Sequence, residues 1–75
     1  MPKQHLPTGI ANIIGVPVEV YESGAMAVFK HDRLANIFDA IHYFCAEHPG
    51  IFVHGCNIEM ETQLPNKYVV RLFFS

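Results

Sequence analysis

The chain has no tryptophan, only two cysteines, and only five lysines plus arginines among its 75 residues. Each shortage closes off a class of function. Two cysteines close at most one disulfide, which cannot make a disulfide-built scaffold. Both stand close to histidines and are expected as free thiols. Five basic residues against seven acidic ones leave a net charge of −2. That is the wrong sign for a nucleic-acid binder, whose affinity comes mainly from neutralised phosphates. No apolar run reaches the about eighteen residues of a membrane span, and no signal-peptide core follows Met1. A soluble, intracellular, cytoplasmic protein is expected. The glycines Gly9, Gly15, Gly24, Gly50 and Gly55 are scattered singly, so they form no phosphate-cradling loop. Internal repeats, charge blocks and low-complexity tracts are also missing.

What the chain does have is apolar side chains, at 51% of residues, with only 16% charged. A domain of this size buries about three-fifths of its unfolded surface, and burial barely offsets the lost chain entropy. A disulfide, a metal or association usually supplies the remainder. The apolar excess favours association.

Residues 1–7 carry two prolines and no periodicity and are expected to form a loose tail to a single domain spanning 1–75. Thr8 is a candidate cap for a short helical turn through Ile10, Ile13 and Ile14, ended by Gly15. Val16, Val18 and Val20 alternate with polar or exposed positions, as do Ala25, Ala27 and Phe29 after Ser23-Gly24. A Ser-Gly loop there pairs Val20 with Ala27, Val18 with Phe29 and Tyr21 with Met26, giving a hairpin with one consistent inner face. Asp32 suits a helix N-cap. From it, Leu34, Ile37, Phe38, Ile41, Phe44, Cys45 and His48 fall on one arc of a helix that Pro49-Gly50 ends. A second hairpin follows, turning at Leu64-Pro65-Asn66. It pairs Met60 with Val70, Ile58 with Leu72 and Cys56 with Phe74, and sets Glu59 opposite Arg71. The fold class is therefore α+β: a four-stranded antiparallel sheet, β-β-α-β-β in spatial order 1-2-4-3, with one helix on one face. Pro17 is expected on an edge strand.

The reactive side chains gather where the helix meets the third strand, as Cys45-x2-His48-x5-His54-x-Cys56. Two thiolates and two imidazoles suit tetrahedral zinc, and binding would help to fold a domain short of core. The spacing matches no common zinc motif. Both cysteines are expected to point into the core, where a thiol is shielded and a poor nucleophile, so no catalytic residue is assigned. Glu59 and Glu61 read as a solvated strand face. Pro2 after Met1 in a short chain superficially resembles the tautomerase superfamily, whose N-terminal proline acts as a base in small oligomerising protomers. The resemblance rests on Pro2 and chain size; in that family the proline opens a core strand, whereas here the sequence Lys3-Gln4-His5-Leu6-Pro7 follows.

The sheet face away from the helix is expected to present Tyr21, Met26, Val28, Val69, Arg71 and Phe73. Exposed aromatics on a four-stranded sheet are one design for stacking single-stranded RNA. The negative charge and the glutamates among them favour a protein interface instead. The reading is a small, non-catalytic protein-interaction domain that acts as a homodimer and contacts an unidentified protein partner, such as an accessory or mobile-element inhibitor or adaptor. The alternatives are a zinc-stabilised domain or small enzyme on the Cys/His seam, and a single-stranded RNA-binding sheet.

Overall fold

A computed structural model describes residues 9–21, 25–62 and 66–75. The elements are β1 (Gly9–Ile13), β2 (Val16–Tyr21), β3 (Met26–His31), α1 (Leu34–Glu47), β4 (Val53–Met60) and β5 (Tyr68–Phe74). All strand pairs are antiparallel, in one sheet ordered β1-β2-β3-β5-β4. The α+β class, with one helix and an antiparallel sheet, holds. The expected four strands in order 1-2-4-3 are corrected to five in order 1-2-3-5-4. The tail 1–7 with Pro2, the Thr8 cap, the Ser23-Gly24 loop and Leu64-Pro65 lie outside the described residues.

The additional strand is the segment expected to be a helical turn. Ile14 and Gly15 both have positive φ, 45° and 86°, the backbone of a two-residue hairpin turn whose twist matches that of the flanking strands. The Gly15 N–H donates to Asn12 Oδ1 at 2.9 Å, bracing the turn. Ile13 then sits opposite Val16 and Ala11 opposite Val18. Pro17 is consequently not on an edge strand, since β1 flanks it. It is accommodated because β2 pairs with β3 only from Val18 onward. The proline nitrogen, without a hydrogen to donate, faces no strand there.

The first expected hairpin register is observed: Val18 opposite Phe29, Val20 opposite Ala27, Tyr21 opposite Met26. The second is shifted by two residues. Met60 pairs with Tyr68, Ile58 with Val70, Cys56 with Leu72 and Asn57 with Arg71. The Glu61 N–H donates to the Lys67 carbonyl at 2.8 Å, so five residues, not three, separate the paired ends of the hairpin. A shift of two keeps every side chain on its expected face.

The helix begins at Leu34 with Arg33 at the N-cap, and no side chain caps it. The Asp32 carboxylate does not act as expected. Instead the Arg33 N–H donates to His31 Nδ1 at 2.9 Å, and Asp32 Oδ1 lies 3.0 Å from the same ring nitrogen. Ile37, Ala40 and Phe44 are buried against Val16, Val18, Phe29, Val70, Leu72 and Phe74. Phe44 anchors this core, meeting Phe29 edge-on at 5.8 Å and Phe74 at 5.9 Å between ring centroids. Each such fully buried apolar side chain contributes roughly 1.5–3 kcal/mol. Phe38, placed on the apolar stripe by its spacing, lies at the rim and is 47% exposed.

The width of the sheet decides what the helix covers. Five strands at roughly 4.8 Å spacing span about 19 Å, whereas a helix with its side chains is about 10–12 Å across. Helix α1 lies chiefly over β3, with β1 and β2 beside it. Its side chains reach β5 through Phe44 and Phe74, and no residue of β4 belongs to the core.

Candidate interaction surface

The Cys45, His48, His54 and Cys56 seam does not close into one site. Among the described residues no group of three or more histidines, cysteines, aspartates or glutamates is arranged to hold a metal ion. The His48 ring packs on Phe44 at 4.9 Å between centroids, while His54 Nε2 lies 2.8 Å from Ser75 Oγ. Both thiols are free. Cys45 is half-buried on the helix, and desolvation pushes its pKa above the ordinary value. Cys56 does not point into the core as expected. It lies on β4 beyond the reach of the helix and is exposed.

The outer sheet face assembles in register. Tyr21 is opposite Met26, Met26 opposite Phe73, Val28 opposite Arg71, and Val69 stands between Lys30 and Glu59. Its exposure is less than the alternation implied. Val28 is 7% and Val69 3% exposed. Ion pairs account for part of this: Lys30 Nζ reaches across β5 to lie 3.2 Å from Glu61 Oε1, and Arg71 Nη1 lies 2.8 Å from Glu59 Oε1 on the adjacent strand. The aliphatic stems of these side chains lie over the sheet while the charged ends stay wet. Apolar surface on this face lies at Ile10, which is 78% exposed opposite Glu19, and at Pro17, Tyr21, Met26 and Phe73, with Met26 and Phe73 half-buried. The Tyr21 phenol is held above its ordinary pKa, first by hydrogen bonding to the Glu19 carboxylate, then by desolvation and by the charge of Glu19, with Arg71 opposing.

A second apolar surface lies on the helix side, where the sequence pattern placed core. All eight residues of β4 are exposed. Cys56, Ile58 and Met60 stand opposite Leu72, Val70 and Tyr68, hence on the inner face. Ile58 and Met60 are nevertheless each 48% exposed, because the helix is displaced toward β1. At one end, Phe52 pairs with Ser75 through two 2.9 Å backbone hydrogen bonds and leaves its ring exposed.

The helix supplies a wall beside this bare floor. Glu47 lines a cleft of about 340 Å³ together with β1, so its flank of α1 looks toward β1. At 100° per residue, Leu34, Phe38, Ile41 and Cys45 occupy the opposite flank, toward β5 and β4. Exposed Phe38 and half-buried Ile41 and Cys45 therefore lie on the β4 side of the helix, and with the bare row Cys56, Ile58 and Met60 they make up an apolar shelf. Periodicity identified both rows but assigned them to one buried core, since nothing local to β4 reveals how far the helix extends over it.

Among the described residues no helix is long and apolar enough to cross a membrane. No protein-family model matches the chain, and neither the curated proteins nor the solved structures give a match.

Proposed function

We propose that this chain is a small, non-catalytic protein-interaction domain that works as a homodimer. The observation that carries the reading is the shelf at β4: an open-edged strand with Cys56, Ile58 and Met60 bare on its inner face, beside the apolar flank of α1. Water meets there a surface with the composition and alternation of a core, and burying it on a protein is favourable by roughly 25 cal/mol per Å² of apolar area removed from water, before the costs of association. No charged side chain interrupts that inner row. The outer face, with Glu59, Glu61, Lys30 and Arg71 paired across it, is solvated by comparison. Sedimentation equilibrium tests the reading. A dimer at micromolar concentration is expected, and a species that stays monomeric to several hundred micromolar overturns it.

A further inference from the structure

Strand β4 presents more than apolar side chains. Its backbone is half-used. The Glu61 N–H donates to Lys67 across the β4–β5 pair, and the Phe74 N–H turns the other way, to the Ala25 carbonyl at 2.9 Å. Alternation along antiparallel strands then aims the amide groups of Asn57 and Glu59 at β5, and those of Cys56, Ile58 and Met60 at the open edge. The three residues whose side chains lie bare on the helix side are thus the three whose N–H and C=O groups have no strand to bond among the described residues. Natural edges are protected by lysine, proline or a bulge. From Gly55 to Met60, β4 has neither lysine nor proline, and its irregularity lies before that stretch, between Val53 and Gly55. At eight residues β4 is also the longer of the two sheet edges, β1 having five.

We infer that β4 pairs antiparallel with β4 of a second copy about a two-fold axis at Ile58, joining the two five-stranded sheets into one. This inference rests on the self-association proposed above and specifies its geometry. An axis normal to the sheet keeps both helices on the same face and requires an isologous register in which residue i meets j and j meets i. With the axis at Ile58, Ile58 meets Ile58, Cys56 meets Met60, and Asn57 meets Glu59, an amide opposite a carboxylate. The outward groups of Cys56, Ile58 and Met60 then form the hydrogen-bonded pairs. Neighbouring registers are worse. An axis at Glu59 sets two carboxylates face to face, an axis at Met60 sets Glu59 opposite Glu61, and axes at Asn57 or Cys56 draw the irregular end of β4 into the pairing. The dimer also completes the shelf. It becomes a trough floored by β5 and β4 of both copies, roughly 14 Å between its outermost strands, with a helix wall on each side. One copy alone supplies half of it.

Two measurements on the full chain decide the matter. Ile58→Pro deletes an edge-facing N–H and leaves the β5 ladder intact, because proline is tolerated where the N–H side of an edge strand faces solvent. It is expected to raise the dimer dissociation constant about thirty-fold or more, from two symmetric hydrogen bonds lost. Ile58→Lys, which keeps every backbone group and sets like charges at the axis, is expected to act in the same direction. In a background with Cys45→Ser and Cys56→Ser, an Asn57→Cys chain mixed with a Glu59→Cys chain is expected to give the mixed disulfide on mild oxidation, in preference to either homodimeric product. Opposed residues at such a non-hydrogen-bonded site have Cα atoms about 4.5 Å apart, within disulfide reach. A dimer indifferent to both Ile58 substitutions that forms no mixed disulfide overturns the strand pairing and leaves self-association standing. A wild-type chain that is monomeric throughout overturns both.

Discussion

Cys45 and Cys56 stand within a few residues of the helix-to-strand break, yet the fold gives them different surroundings. Cys45 sits half-buried on the flank of α1, and desolvation raises its pKa above 9.0. Cys56 is exposed on β4. Alkylation by iodoacetamide near pH 8 is expected to label Cys56 several-fold faster than Cys45, as read by peptide mass spectrometry, because only the thiolate reacts and Cys45 is both partly shielded and raised in pKa. The sign of the linkage follows from the raised value. The folded state favours the neutral Cys45 thiol, so this contribution is intact below about pH 9 and is lost as pH rises through the folded pKa. Cys45→Ser should flatten that part of the stability profile in urea titrations across pH 8–11. Proximity along the chain made these residues read as one metal seam. The separation of the His48 and His54 rings, one on Phe44 and the other at Ser75, has no signature in their spacing.

At the scale of elements, the two ends of structure that local chemistry was expected to set were set by other means. Ile14 occupies the first central position of the β1–β2 turn at φ 45°, where a β-branched side chain is strained. Asparagine accepts this conformation readily. Since Ile14 is 52% exposed, Ile14→Asn is expected to stabilise the protein by about 1 kcal/mol, the lower end of the cost of such backbone strain. A midpoint shift in thermal or urea unfolding would show it. A helical turn at this position predicts no gain. Asp32→Ala provides the converse check. A working N-cap is worth about 1 kcal/mol, whereas an exposed carboxylate that caps nothing should cost under about 0.5 kcal/mol. The same unfolding curves report it. Hairpin faces were legible throughout, because a period of two survives any even shift in register. The shift from Ile58–Leu72 to Ile58–Val70 came from a loop longer than its Pro-Asn turn signal implied.

For the molecule as a whole, Phe44 joins helix to sheet through Phe29 and Phe74, so Phe44→Ala is expected to cost about 3–5 kcal/mol. That approaches the entire stability of a domain this small, and loss of a cooperative melting transition by circular dichroism would register it. The β4 shelf behaves differently under the same logic. Its side chains add little to the stability of a single copy and much to that of an associated pair, so the melting temperature should rise with protein concentration.

The sequence by itself determined the elements and their faces. Alternation in Val16 to Phe29 and in Cys56 to Phe74, and the 3.6-residue stripe through Ile37 and Phe44, are properties of short stretches that sterics and solvent impose locally. Only the tertiary structure decided which of those apolar faces meet. With β1 added as a fifth strand, one helix about 10–12 Å wide cannot roof a sheet about 19 Å across. Where it settles depends on contacts among residues far apart in the chain. It settles over β1, β2 and β3, and so Ile58 and Met60, which alternate as core residues do, are left exposed on β4.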